Sequence, residues 1–261
     1  MGTIGFIGTG SMGSALARAA ARGGKFDALL LSNRTAAKAE KLAREIGGEV
    51  TDNLTAAARA DFLMLGVEPA ELPEVIAQVR PALDARDHKA LVVSMAAGVE
   101  LEKLRSYLGE AAPVVRIMPN IPAAVGEGVI LYAAAPTVTE AQLSVFLDGM
   151  AAAGTFMPMD EGRMKAATGV TGCGPAFAAV FAEALADGAV ACGVPRAEAK
   201  RLAALTLLGS AKMLLGTDPA DLKDLVCSPG GSTIQGVRAL EAGGFRASVI
   251  EAVIATFEKK F

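Results

Sequence analysis

The sequence predicts an α/β protein: a doubly wound sheet over residues 1–160, followed by an all-helical domain over residues 161–261. Three observations carry this expectation. Short apolar runs ending in small residues alternate with helical patterns up to about Asp160, as strand–helix–strand units require. From Gly162 onward the strand signals stop and only helical periodicity continues. At the N-terminus an apolar run passes straight into a glycine-rich turn and an alanine-rich helix.

That first unit is the most diagnostic. Thr3-Ile-Gly-Phe-Ile7 reads as a buried strand, Gly8-Thr9-Gly10-Ser11-Met12-Gly13 as a turn, and the residues to about Arg22 as a helix. Gly8 permits the tight turn, Gly10 lets the backbone approach a pyrophosphate, and Gly13 lets helix and strand pack closely. The helix N-terminus faces the phosphate charge. A strand before and a helix after make this spacing a Rossmann-type dinucleotide fingerprint. The next strand, residues 28–31, ends in Ser32-Asn33-Arg34-Thr35, with no Asp or Glu between Leu29 and Ala39. An acidic residue there would bond a ribose 2′-OH, whereas an arginine suits a 2′-phosphate, so Asn33 and Arg34 predict NADP(H).

Phe62-Leu-Met-Leu-Gly66-Val67 and Ala90-Leu-Val-Val-Ser94-Met-Ala-Ala97-Gly98 give strands four and five. Each ends in small residues, where a cofactor would cross the carboxyl edge of a parallel sheet. Val114-Val-Arg-Ile-Met118 is a strand, and Pro119-Asn120-Ile-Pro122 a proline-stiffened loop. Residues 129–132 and 155–159 read as strands, with a helix over 140–152 between them. Helices follow over 163–190, 196–215, 219–226, 233–241 and 245–260, punctuated by Gly193-Val-Pro195 and Gly216-Thr-Asp-Pro219.

Composition narrows the function classes. A net charge of −3 gives no electrostatic reason to expect nucleic acid or an anionic membrane as partner. The hydrophobic fraction, 52%, is high for a monomer and suggests apolar surface covered between subunits. The longest apolar stretch, 176–192, carries Glu183 and Asp187, which argues against a membrane span. The chain enters its first strand at once, leaving no room for a signal peptide. Cys173, Cys192 and Cys227 form no CxxC pair, so a reducing cytoplasm and no metal site are expected.

A second anion-binding feature lies near the C-terminus. Ser228-Pro-Gly-Gly-Ser-Thr233 is a turn whose glycines allow positive φ, followed by a helix start at Ser232-Thr233. Unpaired N–H groups and two hydroxyls there suit a small carboxylate.

With these stretches assembled, the chain resembles pyrroline-5-carboxylate reductase over nearly its whole length. The resemblance rests on the N-terminal glycine turn, Val92-Val-Ser-Met-Ala-Ala-Gly98, Arg116-Ile-Met-Pro-Asn-Ile-Pro122, Gly172-Cys-Gly-Pro-Ala176, Glu183-Ala-Leu-Ala-Asp187, Leu222-Lys-Asp224 and Ser228-Pro-Gly-Gly-Ser-Thr233. It implies NAD(P)H-dependent reduction of a cyclic imine to L-proline. It also implies a helical dimerisation domain interlocking two subunits, so that the site forms between chains, with larger rings of dimers as a further assembly. Carried over residue by residue, cofactor contacts fall on Ile7, Gly8, Thr9, Gly10, Ser11, Met12, Asn33, Arg34, Asn53, Gly66, Val67, Glu68 and Ala97, with Asn120 beside the nicotinamide. Substrate contacts fall on Glu161, Ser232 and Thr233.

The chemistry needs few side chains. The single histidine, His88, sits in a charged stretch that reads as surface loop, so a histidine acid is not expected. A cyclic imine nitrogen carries its own proton, and orientation over the nicotinamide supplies the catalysis. Thr233 Oγ is assigned to the ring nitrogen, and the N–H groups around Gly231, Ser232 and Thr233 to the carboxylate. Several positions depart from the family pattern: Glu68 for a lysine, Ile121 for a threonine, Thr171 and Cys173 for serines, Phe177 for a tyrosine and Leu225 for a polar residue. They leave open a paralogue acting on a related imine. A β-hydroxyacid dehydrogenase would need a Gly-x-x-x-Lys-x-x-x-Asn context, which fails around Lys165. A non-catalytic NADP-binding sensor is the remaining alternative; it need not keep the second anion site, and tight NADPH binding without turnover on any imine would favour it.

Overall fold

The structure, a computed structural model, describes residues 1–258. Its contacts divide the chain into two units, Met1–Gly172 and Cys173 onward.

The first unit is built on an eight-stranded sheet of order β3-β2-β1-β4-β5-β6-β7-β8. Its strands are β1 (Thr3–Ile7), β2 (Ala28–Ser32), β3 (Glu49–Val50), β4 (Phe62–Leu65), β5 (Leu91–Ser94), β6 (Val114–Met118), β7 (Gly128–Ala134) and β8 (Gly154–Pro158). The helices between them are α1 (Ser11–Gly23), α2 (Ala36–Ile46), α3 (Asn53–Arg59), α4 (Leu72–Asp84), α5 (Leu101–Leu108) and α6 (Glu140–Gly149). Neighbouring strands from β3 to β6 run parallel, with Thr3 opposite Ala28 and Ile4 opposite Phe62; β7 is antiparallel to β6. The chain order reverses between β1 and β4, so the carboxyl ends of these strands flank a crevice.

Why these residues make central strands is visible in β4. Phe62 and Met64 point into one apolar cluster with Phe6, Leu16 and Phe146, while Leu63 and Leu65 point into another with Ile7, Leu72 and Ile76. A strand covered by helices on both faces needs every side chain apolar, hence the unbroken Phe-Leu-Met-Leu run. Each such side chain contributes roughly 1.5–3 kcal/mol by leaving water. Helix α6 starts with a reciprocal capping box between Thr139 and Gln142. It ends at Gly149, earlier than the expected residue 152, and a 3-10 turn at Ala151–Ala153 leads into β8. A second 3-10 turn, Ile121–Val125, occupies the proline-stiffened loop.

The long helix expected over 163–190 is two helices, α7 (Glu161–Thr171) and α8 (Gly174–Ala191). The break falls at Gly172-Cys173, and Pro175 in the first turn of α8 lacks the N–H that a continuous helix would use. Helix α7 belongs with the sheet, so by contacts the first unit extends beyond the expected boundary after residue 160.

The second unit consists of α8, α9 (Arg196–Leu214), α10 (Pro219–Val226), α11 (Ser232–Ala242) and α12 (Phe245–Glu258). The last was expected to reach residue 260, which lies outside the described residues. Helices α8 and α9 meet through the small residues Ala186, Ala199 and Ala203. Their bulky residues do the opposite: Leu202, Leu205 and Leu208 are 55%, 54% and 51% exposed. By length and composition the stretch Glu161–Ala191 passes as a candidate membrane span, with mean hydropathy 1.3. It carries Glu161, Arg163, Lys165, Glu183 and Asp187, each costing on the order of 2.5–3.5 kcal/mol at a bilayer centre.

Candidate active site

The carboxyl edge of β1, β2 and β4 opens onto a cavity of about 650 Å³. Its form follows from the β1–α1 turn. Gly8 adopts φ +94, a left-handed conformation that side-chain-bearing residues rarely take, and a Cβ on Gly13 would sit 2.1 Å from the Gly8 carbonyl oxygen. Helix α1 can therefore start only here, with Gly10 as N-cap and no side chain closing it. A Cβ on Gly10 would meet nothing within 4 Å. Beside this open backbone, Thr9 Oγ1 is buried without a hydrogen-bond partner among the described residues. Uncapped helix N–H groups at an open backbone can receive an anion, while Thr9 itself is buried and does not line the cavity.

The turn is braced from β2. Asn33 Oδ1 accepts from the Thr9 N–H at 3.0 Å, and Asn33 Nδ2 donates to the Thr35 carbonyl at 3.1 Å. Ser32 Oγ lies 2.6 Å from Asn53 Oδ1, and Asn53 Nδ2 donates to Gln78 at 2.8 Å. Arg34 extends into solvent and pairs with Glu71. Asp52 caps α3 by accepting from the Thr55 N–H at 2.7 Å, which with the Thr55 hydroxyl holds its carboxyl below the usual range.

Among the expected cofactor residues, Ile7, Gly8, Gly10, Asn33, Arg34, Asn53, Gly66, Val67 and Glu68 line this one cavity. Ser11 begins α1, and Met12 packs against the apolar cluster beneath the sheet. Ala97 is exposed in the loop after β5. Asn120 is buried and its amide is used twice, donating to the Thr171 carbonyl at 2.8 Å and accepting from the Val129 N–H at 2.9 Å. It braces the loop after β6. Sequence reasoning missed Lys38, Glu71 and Glu74, which also line the cavity. No motif marks them; the only signal is the acidic run after Val67.

Glu161, at the start of α7, has a fixed carboxylate. Its Oε1 accepts from the Leu101 N–H at 2.8 Å and from Arg116 Nη1 at 2.7 Å. The Arg116 side chain is 6% exposed, and its Nε has no partner among the described residues. The pair ties the starts of α5 and α7 to the carboxyl end of β6.

In the second unit the Ser228–Gly231 turn is closed by the Gly231 N–H donating to the Ser228 carbonyl at 3.0 Å. Gly230 adopts φ +71 and is the residue the turn cannot replace. Gly231 is the N-cap of α11, so no side-chain oxygen occupies the N–H groups at the start of that helix. Ser232 and Thr233 are exposed. Leu225 stands 74% exposed on α10, and Ile121 is 73% exposed in the first unit. His88 is exposed in the loop after α4. The described residues contain no group of His, Cys, Asp and Glu that could hold a metal, and Cys173, Cys192 and Cys227 are free thiols.

Comparison with known proteins bears on family and fold. A family model for pyrroline-5-carboxylate reductase dimerisation matches residues 161–260, and one for NADP oxidoreductase, coenzyme F420-dependent, matches residues 3–98. A pyrroline-5-carboxylate reductase of Methanosarcina acetivorans is 40% identical over 98% of this chain and 96% of its own. Among solved structures, one from Coxiella burnetii described as a pyrroline-5-carboxylate reductase superposes with TM-score 0.89 at 31% identity, covering 98% of this chain and 96% of that one. A Plasmodium falciparum pyrroline carboxylate reductase with NADP bound gives TM-score 0.86 at 30% identity, with the same coverages.

Proposed function

We propose that this chain, which belongs to the pyrroline-5-carboxylate reductase family, reduces L-Δ1-pyrroline-5-carboxylate to L-proline with NADPH, the last step of proline synthesis. The observation that carries this reading is the uncapped start of α11 behind the Ser228–Gly231 turn, in a chain whose β1–α1 turn leaves a second uncapped helix start at the cavity. Two anion sites are what a carboxylate-bearing imine and a dinucleotide require.

The residues present fit NADPH. Gly8, Gly10 and the first N–H groups of α1, with Thr9, Ser11 and Met12 in the same turn, would hold the pyrophosphate. Asn33 and Arg34 would take the 2′-phosphoribose, with Asn53, Gly66, Val67 and Glu68 forming the walls. Ile7, Ala97 and Asn120 would shape the nicotinamide end. When bound, NADPH supplies the hydride that the imine carbon accepts.

The chain's own task is to bind and orient. The N–H groups of Gly231, Ser232 and Thr233 hold the substrate carboxylate, and a helix-terminus contact contributes about 0.3–2 kcal/mol, so several must converge. Thr233 Oγ accepts from the N–H of the protonated ring nitrogen and fixes which carbon faces the cofactor. Glu161, pinned by Arg116, is the residue of the first unit that the family resemblance assigns to the substrate. The nitrogen arrives protonated, so no side chain has to pass it a proton. Correct placement can supply on the order of 7–11 kcal/mol of the barrier.

The working unit we infer is a homodimer with interlocked helical domains and a site completed across the pair, with rings of dimers as the larger form. Helices that bury their alanines and expose their leucines support it, as does the dimerisation model that starts at residue 161. That model also favours residue 160 as the functional boundary, although α7 packs with the sheet. A cytoplasmic location fits the free thiols.

The test is NADPH oxidation with L-Δ1-pyrroline-5-carboxylate, beside NADH and a panel of cyclic imino acids of different ring size. The five-membered substrate is expected to turn over fastest. Tight NADPH binding with no turnover on any imine would identify a sensor instead. A faster reaction on another ring would identify a paralogue, for which the apolar Ile121 and Leu225 would be the cause.

A further inference from the structure

The adenosine end of the cofactor cavity has the wrong sign for its cargo. Arg34 and Lys38 line it together with Asp52, Glu68, Glu71 and Glu74, so carboxylates outnumber cations. Yet the ligand that Arg34 is suited to brings a 2′-phosphate of charge about −1.5 to −2. Arg34 is moreover already engaged: its guanidinium pairs with the Glu71 carboxylate at the N-cap of α4, the two side chains being 87% and 37% exposed. Asn33, by contrast, is committed to bracing the glycine turn and has no charge to offer.

We infer that Glu71 is a specificity-determining residue: it is the counter-ion that a 2′-phosphate must displace from Arg34, and it narrows this chain's preference for NADPH over NADH. The inference rests on the cofactor reading above and deepens it.

The physical argument compares two bound states. With NADPH, the guanidinium transfers from carboxylate to phosphate, a stronger bidentate acceptor. The transfer leaves Glu71 unpaired beside new negative charge, with Glu68 and Glu74 on the same wall. With NADH there is no phosphate to receive, the ribose 2′-OH needs no cation, and the Arg34–Glu71 pair persists. Glu71 therefore penalises one cofactor and not the other. Exposed ion pairs are individually weak, so the penalty is modest, and removing it should sharpen selectivity by about two- to fivefold.

The experiment is equilibrium binding, which needs no imine substrate. Dissociation constants of NADPH and NADH are measured on the full-length protein by fluorescence titration, and those of 2′,5′-ADP and 5′-AMP, which differ only by the 2′-phosphate, by calorimetry. Four variants are compared with the natural sequence: Glu71→Gln, Glu74→Gln, Arg34→Ala and Arg34→Ala/Glu71→Gln. Glu71→Gln is expected to raise both phosphate-dependent ratios about two- to fivefold and Glu74→Gln to change them by less than about 1.5-fold, while in the Arg34→Ala background Glu71→Gln should leave them unchanged. Unchanged or lowered ratios in Glu71→Gln would overturn the inference, the latter meaning that Glu71 orients Arg34 for the phosphate. An equal gain from Glu74→Gln would overturn it too, because the general field and not the pair would then be responsible. If the natural sequence binds neither dinucleotide, the cofactor reading itself fails; if it binds both and Glu71→Gln is silent, only the role of Glu71 falls.

Discussion

At the scale of single residues, two substitutions separate the two halves of the proposed chemistry. Thr233→Val keeps the shape at the start of α11 and removes the hydroxyl assigned to the ring nitrogen. It should lower kcat/KM by well over tenfold while leaving NADPH affinity intact; an unchanged kcat/KM would take Thr233 out of the mechanism. Arg34→Glu acts at the other end, replacing the one guanidinium at the end of β2 by an acid that can accept from a ribose 2′-OH. The NADPH/NADH preference should move toward NADH, and a ratio that stays put would refute the 2′-phosphate assignment. A local pattern singles out both positions in the sequence: a glycine turn before Thr233, and the end of an apolar strand before Arg34. Glu71 was not legible. Its meaning depends on a partner thirty-seven positions away, and no spacing rule brings those two side chains together.

At the scale of elements, the sequence disclosed strands more faithfully than helix ends. Runs such as Phe62-Leu-Met-Leu are apolar at every position because helices cover both faces, and that leaves a signal no loop imitates. The joint between α7 and α8 was hidden, since apolar periodicity runs on through Gly172-Cys173 and only Pro175 hints at a new start. The clamp that holds α7 was hidden as well: Glu161 and Arg116 are forty-five residues apart and meet only once β6 is in the sheet. Because Arg116 is buried, Arg116→Ala leaves the Glu161 carboxylate without its cation and should destabilise the first unit by about 3 kcal/mol or more in urea unfolding. A loss under 1 kcal/mol would mean that the pair is dispensable to the fold. The outer elements carry a pH dependence of definite sign. Asp27 is held low by the Gly2 N–H and the terminal ammonium, Glu45 by Arg18, Glu49 by Arg59, and Asp52 by the Thr55 N–H and hydroxyl. Each folded pKa lies below its unfolded value, so the stabilisation is present above the ordinary carboxylate range of about 4 and is lost as pH falls through the lowered values. The Tm should hold between about pH 6 and 5 and drop below about pH 4, less steeply in Glu49→Gln/Asp52→Asn; a Tm flat to pH 3 would contradict this.

At the scale of the whole molecule, the two units differ in how much of their stability one chain can supply. The sheet unit buries large side chains on both faces, among them Phe6, Phe146, Leu16 and Leu63. The helical unit buries Ala186, Ala199 and Ala203, while α10, α11 and α12 bury nothing among the described residues. Its Leu202, Leu205, Leu208, Val180 and Ile250 are each more than half exposed in a single chain. Full burial of a leucine is worth roughly 1.5–3 kcal/mol and these are already about half buried, so a second copy covering this face would add roughly half of that for each. Sequence composition hinted at this through its 52% hydrophobic content, but no single chain could show which residues wait for a partner. Leu205→Glu tests the dependence directly. A charge on that face should shift the protein toward a monomer of about 26.5 kDa in light scattering. Because the turn assigned above to the substrate carboxylate lies in the unit that would lose its partner, imine reduction should fall with the dimer population. The dinucleotide cavity belongs wholly to the sheet unit, so NADPH affinity should stay within about threefold of the natural value, since distant sites behave additively. A Leu205→Glu protein that remains dimeric and fully active would show that some other face joins the subunits.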